Sequence, residues 1–167
     1  MTQLIKKAGG AAGIVCSVGM IITMVLNAGH VRTNERGLRL IGNAESCRRD
    51  PYLCPAGVLT DGIGNTHNVS AGVQKTDAQI AADWEKNILA AERCVNAWAA
   101  GKRLSDITFN VGCGAMQRST LFRLLRQESV SEACAQFTRW IYAGGVPLAG
   151  LKTRRSSEQA LCLEGVP

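Results

Sequence analysis

An uncharged run over residues 8–29, AGGAAGIVCSVGMIITMVLNAG, follows directly on Lys6 and Lys7. It is long enough to cross a bilayer as one helix. The basic residues on its amino side predict an amino terminus left in the cytoplasm and the bulk of the chain exported. A cleaved signal peptide is the alternative, but it would have a shorter apolar core and a small-x-small end, of which Ala28-Gly29 is a poor version. The first half of the run is mostly Gly and Ala, and Ser17, Thr23 and Asn27 interrupt it, so few residues favour insertion strongly. Such a helix is suited to enter a membrane and later to leave it.

Export fits the cysteines. Cys16, Cys47, Cys54, Cys94, Cys113, Cys134 and Cys162 are many for a reduced cytosolic protein, and no CxxC pair occurs. His30 and His67 are the only histidines, so the usual zinc spacing is lacking; neither a metal site nor a cofactor is expected. Disulfides formed in an oxidising compartment are the better account. The count of 7 is odd, so at least one thiol is free or exchanging at any moment. Cys94, Cys113, Cys134 and Cys162 allow three pairings among themselves, and spacing does not choose between them. Cys134 and Cys162 fall on the inner faces of the last helices and are expected to be structural.

The 167 residues divide into a leading segment, 1–30, and one domain, 31–167, with enough chain for a real core. The net charge of +6 favours an anionic partner. The basic residues form no run with interleaved aromatics, which argues against nucleic acid.

Thr33 or Asn34 is placed to cap a helix entering at Glu35. Leu38, Ile41 and Glu45 then follow at i, i+3 and i+7 and share one face. This leaves two readings of Glu45. It is either a solvated carboxylate at a fraying helix end or a dehydrated one suited to give up a proton near neutral pH. Asp50-Pro51 and Cys54-Pro55 break any helix. Residues 58–69, VLTDGIGNTHNV, predict a small hairpin or three-stranded sheet around Asp61-Gly62.

Thr76 with Gln79 forms a capping box, and Ile80, Trp84, Ile88, Ala91, Val95 and Trp98 trace a helical stripe ending at Gly101. Both tryptophans of the stripe are expected in the core. A further helix carries Leu121, Leu124 and Leu125. Another starts at Ser131, turns Cys134, Phe137, Trp140 and Ile141 inward and closes at Gly144-Gly145. A basic amphipathic helix over 151–163 ends the chain. The fold class is α+β, mostly helical with a small antiparallel sheet, and a cleft is expected between sheet and helices.

The spacing E-x8-C-x5-T of Glu45, Cys54 and Thr60 resembles the E-x8-D-x5-T triad of phage lysozymes of glycoside hydrolase family 24. DGIGNTH at 61–67 occupies the place of that family's T-I-G-x-G-H hairpin. TFNVG at 108–112, STLFRLL at 119–125, WIYAGG at 140–145 and GLKTRR at 150–155 are similar to its later blocks, in order. Within the family the chain resembles the signal-arrest-release endolysins of temperate phages, on the branch where cysteine replaces the triad aspartate. The resemblance implies a muramidase that cuts the β-1,4 bond between N-acetylmuramic acid and N-acetylglucosamine for host lysis. It implies Glu45 as general acid, Cys54 in place of the water-activating carboxylate and Thr60 placing the water. Thr66, Phe109, Asn110 and Ser119 are its implied substrate-binding residues. The implied partners are peptidoglycan, the host Sec export machinery and the inner membrane before release into the periplasm, for a monomeric protein. A non-catalytic wall-binding or membrane-anchored protein on the same fold is the competing class.

Two departures from the family pattern stand out. Cys54 must ionise to replace a carboxylate, and Arg48 and Arg49 are the nearby cations in sequence that could lower its pKa. Residues 101–106 are also fewer than the family places before the TFN block. On residues alone, Cys47–Cys54 reads as a permanent staple and Cys16 as an apolar filler. The resemblance implies a switch instead: Cys47 and Cys54 are bonded while the run is in the membrane, and Cys16 displaces Cys54 from Cys47 after release.

Overall fold

The computed structural model describes residues 14–54, 57–98 and 105–164. Lys6, Lys7 and residues 99–104, which include the helix stop at Gly101 and most of the short stretch 101–106, lie outside them.

Ser17 opens helix α1, Val18–Ala28, by accepting a hydrogen bond from the Met20 amide, and Gly29 closes it in the left-handed region. Eleven residues make a helix of about 16 Å, half the thickness of a bilayer core. Among the described residues no helix is long and apolar enough to cross a membrane. Instead α1 packs on the two helices that follow, α2 (Glu35–Glu45) and α3 (Asp77–Trp98). Ile21, Ile22 and Val25 of α1 are buried in the same cluster as Leu38, Ile41, Ile80, Trp84 and Ile88. Gly42 makes room for this approach: a Cβ there would sit 2.6 Å from a Val18 methyl and 3.6 Å from the Trp84 ring.

Asn34 is the cap of α2 and accepts from the Gly37 amide, while the Thr33 hydroxyl and the Arg32 and Thr33 amides all donate to buried Glu92 of α3. Thr76 and Gln79 form the expected capping box before α3. At the other end of α3, Cys94 and Val95 enter a second cluster with Ile107, Met116, Leu121, Phe122, Leu125 and Phe137. Two cores therefore share one long helix. The second is built by α4 (Ser105–Val111), α5 (Cys113–Gln117), α6 (Thr120–Arg126), α7 (Val130–Ala135), a 3-10 turn (Gln136–Arg139) and α8 (Ala149–Leu163). Disulfides Cys94–Cys113 and Cys134–Cys162 tie α3 to α5 and α7 to α8.

Three expectations need correction here. Trp98 is 43% exposed because it stands on the last turn of α3, beyond the reach of the second core; Trp84 alone of the pair is buried. Ser131 lies inside α7, whose N-cap is Ser129, and the helical stretch stops at Arg139. Gly144-Gly145 is the turn of a two-residue-arm hairpin, β3 (Tyr142–Ala143) with β4 (Val146–Pro147), both glycines having positive φ.

The main sheet pairs β1 (Arg48–Leu53) with β2 (Leu59–Gly62), so its first strand begins earlier than residue 58. The register shifts between Arg48 and Tyr52, and Pro51, which cannot donate, sits in that irregularity. Proline there excludes a helix and still admits a bulged strand. Residues 14–16 add a short third partner on the free side of β1. The Arg49 amide donates to Ile14 O at 2.8 Å, the Cys16 amide to Cys47 O at 3.3 Å, and the Ile14 amide to Asp50 Oδ1 at 2.7 Å.

Candidate active site

Glu45 is the last residue of α2, and its side chain is 24% exposed, between the two readings the spacing left open. Its Oε1 accepts from Arg154 Nη1 of α8 at 2.8 Å. Its Oε2 lies against Gly64, where a Cβ would approach to 3.0 Å, and Gly64 has φ +65°. Only glycine both adopts that turn and leaves the carboxylate its place.

The turn that carries Gly64 is held from within. Asp61 and Asn65 exchange both backbone hydrogen bonds at 2.9 Å, and Asn65 Nδ2 donates to buried Asp61 Oδ1 at 2.8 Å. Lys75 Nζ closes on Asp61 Oδ2 and Asp83 Oδ2, each at 2.7 Å. Burial pulls the Lys75 ammonium down, and Asp61 and Asp83 outweigh it, leaving its pKa raised. Asn65 Oδ1 also accepts from Asn87 Nδ2 of α3, which fixes the turn to the body.

In the antiparallel ladder Tyr52 stands opposite Thr60 and shares its face, and Cys54 follows one residue past the end of β1. Thr60 is buried, and its hydroxyl donates to Val58 O at 3.0 Å, so its lone pairs remain available to accept from water. Burial raises the Tyr52 phenol, and the nearby charges of Glu45, Cys54 and Asp61 push the same way against Arg48. Tyr52 thus senses the carboxylate, the thiol and the turn at once. It also stacks under the Arg48 guanidinium, 4.5 Å from the ring centre.

Cys16 is bonded to Cys47, and Cys54, half-buried, takes part in none of the three disulfides. Both nearby arginines also hold carboxylates. Arg48 pairs with Asp50 at 2.6 Å and Arg49 with Asp77 at 2.8 Å. The Arg48 bond, together with the Ile14 amide, holds the Asp50 carboxyl below its ordinary range against the opposing effect of burial.

Thr66 and Phe109 line one cavity of about 270 Å³ with Gly64, His67, Asn87 and Thr108, reaching Gly112 and Cys113. Two of the four expected substrate contacts are therefore brought together beside the Glu45 turn. Asn110 accepts from Arg155 Nη2 at 2.7 Å on the α4 side. Ser119 is elsewhere: it caps α6 and lines a separate cavity with Arg118, Arg139 and Trp140. Tyr52, Asn65, Lys75 and Arg154 were not expected. The GLKTRR and DGIGNTH blocks contained Arg154 and Asn65, but spacing assigns no partner over such separations. Among the described residues no acidic, histidine or cysteine cluster could hold a metal ion.

A phage lysozyme family model matches residues 42–158, from the last turn of α2 through the hairpin and into α8. The SAR-endolysin of Escherichia phage P1 is 49% identical over 179 residues, covering 96% of this chain and 97% of that protein. The crystal structure of the active form of the P1 phage endolysin Lyz matches with a TM-score of 0.87 at 46% identity, over 93% of this chain and 98% of that one. The secreted inactive form of the same endolysin reaches a TM-score of 0.56, again at 46% identity, over 81% and 98%. With a glutamate at the end of α2 facing a glycine-cornered hairpin, and with these matches along its length, the chain belongs to the phage lysozyme family.

Proposed function

We propose that the chain is a muramidase endolysin, exported in a membrane-held form and activated on release, and that the structure described here corresponds to its active state. One observation carries this reading: Cys16 is bonded to Cys47, which leaves Cys54, just past the end of β1, outside any disulfide. The better match to the active form of the P1 endolysin than to its inactive form supports the same state.

Glu45 donates a proton to the glycosidic oxygen as the bond to the departing sugar breaks. A water accepted by Thr60 attacks the sugar carbon, and the Cys54 thiolate takes the proton that this water loses. Thr66 and Phe109 line the part of the cleft that receives the glycan, and Asn110 acts at its α4 edge.

In the held form residues 8–29 span the host inner membrane after Sec-dependent export, and Cys47 is bonded to Cys54. On release α1 folds onto α2 and α3, and the Cys16 thiolate attacks Cys47 Sγ. The Cys47–Cys54 bond breaks, Cys54 leaves as a thiolate and the Cys16 proton passes to solvent. The exchange needs no oxidant, because one disulfide replaces another.

Turbidity of chloroform-treated cells tests the activity. Wild type should clear them, while Glu45→Gln and wild type alkylated at Cys54 should not. Equal clearing by wild type and Glu45→Gln, or by neither, points instead to a wall-binding protein without chemistry.

A further inference from the structure

Behind Arg154 lies a chain of buried charge. Its Nε donates to Glu158 Oε1 at 2.9 Å, one helical turn along α8, while its Nη1 reaches Glu45 at 2.8 Å. The other oxygen of Glu158 meets Arg155 Nε at 3.0 Å, and Arg155 Nη2 donates to Asn110 of α4. The Glu158 side chain is wholly buried, and Arg155 is 1% exposed. Burial lowers the Arg154 guanidinium, but Glu45 and Glu158 together more than compensate, so it stays charged.

Stability alone is a poor reason for such a group. Apolar residues of similar volume commonly replace a buried ion cluster without loss, because desolvation offsets most of the attraction. Here the cluster ends on a carboxylate that faces the cleft. An arginine in contact with a proton donor favours the ionised carboxylate, which works against donation. A second carboxylate on the same guanidinium cancels much of that charge. It also fixes a long, rotamer-rich side chain at one position, which a lone arginine would not hold.

We propose that Glu158 is a positioning residue for the chemistry at Glu45: its carboxylate fixes Arg154 against Glu45, balances the charge Arg154 brings there, and through Arg155 registers α4 to the same point. The inference rests on the muramidase reading. Arg154 of α8 bonds Glu45 directly; the Tyr52 phenol of β1, neutral at working pH, and the Cys54 thiol beyond it are the other titratable groups of this site, and neither changes with Glu158. Loss of the Glu158 charge therefore leaves Arg154 as the unbalanced influence on the proton donor.

The test uses the full chain with Cys16 bonded to Cys47, comparing wild type, Glu158→Gln, Glu158→Asp and the charge-neutral double variant Glu158→Gln/Arg155→Gln. Rate of wall clearing is read against pH, with wall binding and thermal unfolding measured alongside. Glu158→Gln should clear walls at least tenfold more slowly at neutral pH and still bind them. The alkaline limb of its profile should move acidward by about one pH unit. Glu158→Asp should recover part of the rate. The double variant removes one buried charge of each sign and keeps a foldable core, and it should show the same displaced limb. Unchanged rate and limb in either Gln variant, with only a lower unfolding temperature, would mean that Glu158 merely packs α8 and would overturn the inference. Wild type that is folded but clears nothing would overturn the muramidase reading and the inference with it.

Discussion

Gly64 carries more of the site than its size suggests. Its φ of +65° costs an alanine roughly 1–2 kcal/mol, and the added methyl would press on Glu45 Oε2 from 3.0 Å. Gly64→Ala should lower the clearing rate at least tenfold for a small drop in unfolding temperature, a disproportion that turbidity and calorimetry together would reveal. Asp50 makes a different prediction. Its folded pKa lies below the ordinary 3.8, so its contribution is fully present above that value and is lost as pH falls through the depressed one. Asp50→Asn should therefore unfold at lower temperature than wild type at pH 6, and the gap should narrow as pH falls below 3.8. Little or no gap at pH 6 would show that the bonds to Arg48 and the Ile14 amide contribute nothing.

Among elements, α1 is the one whose place the sequence disguises. A weakly apolar run after two lysines reads as a membrane segment, because periodicity does not say which apolar medium will receive Ile21, Ile22 and Val25. The α2 and α3 stripes were legible for the opposite reason: Leu38 and Ile41, or Ile80, Trp84 and Ile88, alternate with charges that only a water-facing side can hold. β1 was missed because Pro51 reads as a break, and only the bulge opposite β2 shows how a strand absorbs it. Of the proposed site, Glu45, Cys54 and Thr60 are singled out by spacing matched to a family. Arg154 is not, since its tie to Glu45 spans 109 positions and leaves no local pattern. Ile22 is 2% exposed, so Ile22→Ala should cost about 2–5 kcal/mol in urea unfolding of the active form. No loss would mean that α1 rests on the domain without completing its core.

For the whole molecule, covalent ties run through the two apolar clusters. Cys134–Cys162 closes a separation of 28 residues across the last helices, worth about 3–4 kcal/mol by loop-closure entropy. Replacing both cysteines with alanine should remove about that much in denaturant melts. Reactivity of the Cys54 thiol should stay unchanged, because Cys162 packs on the second apolar cluster and Cys16 and Cys47 on the first. The notch at Gly42 has a wider consequence. Lipid tails and a protein interior are about equally apolar to isoleucine and valine, so on the proposed pathway α1 moves between two solvents of nearly equal quality. With a partition so close to even, small terms decide the direction: a strand bond at Ile14, a disulfide at Cys16, a change in membrane potential. Gly42 keeps the second solvent open in advance, with a vacancy shaped for Val18. The timing of lysis would then be set by how long the first solvent can hold a helix that fits the second equally well.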